Sequence, residues 1–141
     1  MNDEETTLGQ RQDRRRREFL VHVLSYEPDL STADMFELAI DNAKIIRKFT
    51  PGSVKRIARM VLARADKRDK EVLKLFYGIE GNVVHPFSER ERAYILNGKR
   101  EDKMGERGLE IMEKKAIKKI QPYVQALVTL EEPPSSPEYR R

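Results

Sequence analysis

Cysteine is absent from the 141 residues. That excludes a disulfide framework and any cysteine-ligated metal, and it fits a reducing compartment. No apolar run approaches the roughly 20 residues a membrane span needs. The opening Met1-Asn2-Asp3-Glu4-Glu5 is acidic and lacks the basic-then-apolar order of a signal peptide. These absences predict a soluble intracellular protein with no membrane association. There is no Gly-rich phosphate loop. The two histidines, His22 and His85, lie far apart without neighbouring ligands at metal spacing. No enzyme activity, cofactor or metal is expected. His22, among apolar residues, reads as a core histidine with its polar atoms satisfied, and His85 before Pro86 as a loop residue.

Charge is abundant instead. Charged residues make up 37% of the chain and hydrophobic ones 38%, which supports a modest core under a highly charged surface. The net charge of +4 hides a pattern. Residues 47–74 hold ten basic and three acidic side chains, a net of +7; residues 99–120 hold eight and five, a net of +3. Residues 27–41 hold five acids and no base. Such runs are solvated helix faces or the footprint of a polyanionic or acidic partner.

Seven glycines and seven prolines mostly punctuate apolar runs, and the chain reads as mostly helix. Residues 1–9 are polar and expected to be disordered. A helix follows from about Gln10 to Ser25, with Arg14-Arg15-Arg16-Arg17 on its first turns. Cations there oppose the helix dipole, so they imply an acidic partner or pairing with the acidic segment that follows. Pro28 ends this helix, and Ser31 or Thr32 caps the next. Met35, Phe36, Leu38, Ala39, Ala43 and Ile46 recur at helical spacing as a core-facing stripe, with Asp41-Asn42 a potential interruption. Thr50-Pro51 starts a third helix running to about Ala65, with Val54, Ile57, Ala58, Val61 and Leu62 buried. Lys55, Arg56 and Arg59 lie off that stripe. A basic helix opening on Thr-Pro-Gly-Ser offers backbone donors to a phosphate.

Asp69 to Tyr77 reads as a helix stopped by Gly78 to Gly81. Val83 to Phe87 reads as an extended connector. Ser88 and Glu91 form a capping-box pattern, with Phe87 placed for a hydrophobic staple. Ala93, Tyr94, Ile95 and Leu96 are expected to pack inward, and Asn97-Gly98 signals a turn. The last helix begins between Asp102 and Glu106 and runs past Ile120. Met104, Leu109, Met112, Ala116 and Ile120 lie near one face, and Pro122 is expected to bend or end it. From 131 onward, prolines without apolar side chains predict a disordered tail. The parts are thus 1–9, a helical part 10–67, a helix-turn-helix part 68–130 and the tail 131–141.

Within the third part, Glu71-Val72-Leu73, Leu75, Tyr77 and Gly78-Ile79-Glu80-Gly81 occur in order. Glu113, Lys115-Ala116-Ile117, Lys118-Lys119 and Ile120 follow at suitable spacing. This combination resembles the fourth conserved region of bacterial primary sigma factors, over about a third of the chain. The resemblance implies an all-α, multi-helix bundle with a C-terminal sigma-like helix-turn-helix. In that family the long helix enters the promoter's major groove, and the module docks on the flap of the polymerase beta subunit. Groove reading needs Arg, Lys, Gln or Asn near the helix start. This chain carries Glu106, Arg107, Gly108, Glu110 and Glu113 there, so the scaffold reads as kept and base reading as eroded.

The function so implied is that of a phage-type transcription regulator. It would bind bacterial RNA polymerase at the beta flap or the sigma factor, in the host cytoplasm, and alter promoter use. The chain's length, missing cysteine and polar ends are also similar to a Thermus-phage polymerase-binding protein that inhibits host transcription and acts in antitermination. Leu75, Phe76, Tyr77 and Ile79 are the candidate polymerase contacts. Lys55, Arg56, Arg59, Arg107, Lys114, Lys115 and Lys118 are the candidates for DNA or an acidic partner. A sequence-specific DNA-binding activator is the second reading, and a small terminase-like packaging protein the third.

Overall fold

The structure is a computed structural model that describes residues 7–81, 85–98, 103 and 105–131. The first six residues, Val83, Val84, Met104 and the expected tail beyond Glu131 lie outside these. Six helices follow in order: α1 (Leu8–Leu24), α2 (Thr32–Arg47), α3 (Pro51–Ala63), α4 (Lys67–Tyr77), α5 (Glu89–Asn97) and α6 (Glu106–Glu131). Among the described residues there is no strand, and the fold is an all-α bundle.

α1 begins earlier than Gln10. Thr7 accepts from the Gln10 backbone N–H, and the Gln10 side chain accepts from Thr7 N at 2.8 Å. This reciprocal cap satisfies two donors that a fraying end would leave to water. Phe19, Leu20 and Val23 form its buried stripe. The arginine run does not pair with the acidic segment. Arg15 meets Glu18 at 3.3 Å, and Arg16 meets Glu80. Arg17 bonds Asp13 and donates to Ile46 O (2.8 Å) and Phe49 O (2.9 Å). Ile46 lies in the last turn of α2 and Phe49 in the turn beyond it, so Arg17 ties α1 to the C-terminal end of α2. The other end of α1 is closed from far along the chain. Gln121 donates to Val23 O (3.0 Å) and Tyr26 O (2.7 Å).

α2 runs unbroken through Asp41-Asn42, because Asn42 turns inward and donates to Ser25 Oγ at 3.0 Å. Its stripe is far less buried than its periodicity implies. Ile46 is the one buried residue of the helix, and Phe36 is 67% exposed. Among the described residues α2 packs chiefly on α1, and no other described helix covers its far side. α3 follows its expected pattern. Thr50 accepts from Ser53 N, Pro51 sits in the first turn, and all five stripe residues are buried.

α6 does not stop at Pro122. It continues to Glu131, with Ile120, Val124 and Val128 buried on either side of the proline. A proline inside a helix costs about 3 kcal/mol. Burying two valines and an isoleucine returns roughly 1.5–3 kcal/mol each, so packing wins. Pro122 itself is exposed, so its missing N–H leaves no buried carbonyl away from water. One core draws on α1, α2, α3, α4 and α6, centred on Phe19, Leu20, Val61, Leu73 and Ile120. A smaller cluster of Val72, Leu96 and Leu109 joins α4, α5 and α6.

Candidate functional site

Two polar hubs hold the second half of the chain in place. The first is the turn after α4. Gly78 adopts φ 65°, which lets Ile79 N reach back to Lys74 O at 3.1 Å and end the helix. Glu80 follows at φ 53°, an uncommon conformation for a residue with a side chain. It is over-determined by its partners. Arg16 Nε donates to its carboxylate at 2.7 Å and Arg59 Nε at 3.0 Å. Gln12 accepts from Glu80 N and donates to Gly81 O, both at 3.3 Å. Burial alone would raise the Glu80 carboxyl, but the hydrogen bonds and charges of Arg16 and Arg59 hold it below its ordinary value.

A carboxylate depressed in the folded state stabilises above its unfolded value, and that stabilisation is lost as pH falls through the folded one. Glu80→Gln is therefore expected to cost about 1–3 kcal/mol at pH 7. The gap to the wild type should narrow between about pH 5 and pH 3. Urea unfolding of both proteins across that range checks it; a gap independent of pH contradicts it.

The second hub is Arg92. Its side chain is 3% exposed and that of Glu113 is 9% exposed, and the two form an ion pair between α5 and α6. Arg92 Nη1 donates to Phe87 O at 2.7 Å, and its guanidinium lies 4.7 Å from the centre of the Phe76 ring. The expected staple from Phe87 is thus a hydrogen bond, because the residue one turn on is arginine. Ser88 and Glu91 form the reciprocal cap their spacing implied. Phe87 N also donates to Leu75 O at 3.0 Å, tying the connector to α4. Burial pushes the Glu113 carboxyl above its ordinary value, against the lowering charge of Arg92.

The predicted contact residues fall inside this framework. Tyr77 is 8% and Ile79 1% exposed, both in the main core, while Leu75 and Phe76 are half-buried. None of the four makes an open surface: α1 packs on Tyr77, Arg92 of α5 lies over Phe76, and Leu75 packs against the smaller cluster. Phe19 packs edge-on against Tyr77 at 4.8 Å, and the Tyr77 hydroxyl bonds His22 Nδ1. Burial raises the Tyr77 hydroxyl and lowers the His22 ring from their ordinary values. His22 stands at the edge of a groove between α1 and α2, not within the core.

The predicted cations divide into two groups. Arg56 is paired with Glu131, Arg59 with Glu80, and Lys114 with Glu110 at 3.0 Å. Lys55, Arg107, Lys115 and Lys118 are exposed, and no ion pair to a described residue holds them. Two surfaces went unmarked. Tyr94, expected to face inward, is 83% exposed on α5 beside half-buried Phe87 and Ile95. A groove of about 780 Å³ runs between α1 and α2, with Phe36 on its lip. The unbroken apolar run Ala93 to Leu96 concealed which side of so short a helix faces out.

Among the described residues no three His, Asp or Glu side chains converge as a metal site. No helix of described residues is long and apolar enough to cross a membrane. The architecture of the described residues is all-α, with six helices. Comparison with protein-family models, curated proteins and solved structures finds no match for the chain.

Proposed function

We propose that the chain is a phage-type transcription regulator that binds bacterial RNA polymerase, at the beta flap or the sigma factor bound there. The observation that carries this reading is the packing of α4, α5 and α6. The two segments similar to the sigma tail lie side by side, and α5 closes on both through Val72, Leu96 and Leu109. A bent three-helix unit is what that likeness requires. The acidic start of α6 fits a module that docks on protein better than one that reads bases. Glu106 and Glu110 remain exposed at that end, where phosphate would repel them.

The contact surface is assigned to α5, where Tyr94 and Arg90 are exposed beside half-buried Ile95, in place of the buried Tyr77 and Ile79. Aromatic and arginine side chains carry a large share of binding energy at protein interfaces. Pull-down of purified polymerase core and holoenzyme tests the reading. Tyr94→Ala is expected to weaken capture about tenfold or more with an unchanged circular dichroism spectrum. No capture of either form by the wild type ends the proposal. Transcription in vitro then separates inhibition of host promoters from antitermination.

A second reading, direct DNA binding, rests on the exposed Lys55, Arg107, Lys115 and Lys118. A gel shift with no sequence preference and a steep salt slope would leave only non-specific attraction.

A further inference from the structure

We propose that the protein forms a twofold dimer by antiparallel pairing of α2 with α2 of a second copy. α2 is anomalous in this fold. It has 16 residues and buries only Ile46, whereas α3 buries five of 13. Phe36 is 67% and Ile40 42% exposed. At 100° per residue, Phe36, Ile40 and Ala43 fall within a narrow sector, beside the groove that α1 and α2 form.

The charges on the adjacent flank specify what covers this strip. Asp34, Glu37 and Asp41 precede the bases along α2; Lys44 and Arg47, followed by Lys48, occupy the end. No described residue makes an ion pair with any of these six, although most charges on the neighbouring α1 are engaged. Acids first and bases last also suit the helix's own dipole. That accounts for the order of signs and leaves the exposed phenylalanine and isoleucine unexplained.

An antiparallel pairing accounts for both. With Ile40 on the twofold axis, Glu37 of one copy stands opposite Lys44 of the other. The large Phe36 faces the small Ala43, whose missing bulk leaves room for a ring. Each of these contacts forms twice by symmetry, as an isologous interface requires. A parallel pairing would instead set Glu37 and Lys44 against the partner's Phe36 and Ala43 flank. An unrelated helix would need the same alternation of signs by chance, so a second copy is the occupant the charges favour.

Sedimentation velocity and light scattering of the full chain test this. The wild type is expected at twice the 16.5 kDa chain mass. Phe36→Glu should give a monomer with an unchanged circular dichroism spectrum, since the residue is exposed. Glu37→Lys should weaken the dimer about tenfold, and the swap Glu37→Lys with Lys44→Glu should restore it to within about threefold. The chain has no cysteine, so Ile40→Cys provides a direct geometric probe. On the axis it should oxidise to a disulfide-linked dimer, while Ala63→Cys on α3 should not. A wild type that stays monomeric at about 100 μM overturns the proposal. So does a trimer or ring, or a swap that fails to restore pairing. These outcomes are independent of polymerase capture, so the two proposals fail separately.

Discussion

Replacing Gly78 by alanine is expected to cost the fold about 3 kcal/mol or more. The left-handed conformation alone costs an ordinary residue about 1–2 kcal/mol. The greater cost is steric. A Cβ on Gly78 would stand 2.3 Å from His85 C, 2.4 Å from His85 O and 2.7 Å from Pro86 N. Those atoms are backbone, so no rotamer change relieves the overlap. The connector is held nearby by Phe87 N donating to Leu75 O, and the turn by Ile79 N donating to Lys74 O. Moving either breaks a backbone bond and disturbs the Glu80 hub beyond it. Thermal and urea unfolding should show a midpoint lowered by about 10 °C. A loss under about 1 kcal/mol would mean that the connector shifts freely.

Arg92→Ala is expected to be comparably damaging, at about 3–5 kcal/mol. Three partners lose their complement together. The Glu113 carboxylate loses its ion pair, Phe87 O its donor, and the Phe76 ring its overlying cation. The cost reflects an orphaned buried charge more than the worth of the pair. Arg92 Nε has no hydrogen-bond partner, and the contact at Glu113 Oε1 falls short of hydrogen-bond geometry. The pair is therefore imperfectly repaid for its desolvation. The double variant Arg92→Met with Glu113→Leu should recover most of the loss, because apolar packing avoids desolvating two ions.

The pH dependence of the single variant separates this account from simple cavity formation. Burial raises Glu113 in the folded state. A folded state that holds its proton more tightly loses stability as pH rises from the unfolded value to the folded one. Removing Arg92 removes a lowering influence, so the carboxyl should rise further. The deficit of Arg92→Ala should thus be larger at about pH 7 than at about pH 4. A deficit equal at both values would assign the loss to packing alone. The Glu80→Gln deficit also grows with pH, but for a different reason: there the variant loses a carboxylate that the folded wild type holds depressed.

Helix starts were the most legible part of the fold. Ser31, Thr50 and Ser88 each cap the helix their position implied, since a cap is decided within four residues. The Gly78 stop and the α3 stripe were legible for the same reason. Errors arose where distant neighbours decide. Phe36 and Tyr94 sit in apolar patterns that periodicity assigns inward, yet no other helix comes to cover them. Pro122 reads as a bend or an end until the buried residues on both sides are weighed against it. The candidate contacts Tyr77 and Ile79 were legible as apolar, but their burial depends on α1. Tyr94 was legible only as one of four consecutive apolar residues.

Composition, capping residues and helical period together determined that this chain is all-helical and where most of its helices begin. These signals act over one or two turns and need no distant partner. Tertiary structure alone decided that Arg16 and Glu80, 64 positions apart, share a salt bridge. It alone decided that Gln121 closes α1 across 98 positions, and that α2 is left with an open apolar side. Ion pairs and burial depend on which surfaces meet. That is settled by the packing of the whole chain and written in no local stretch of it.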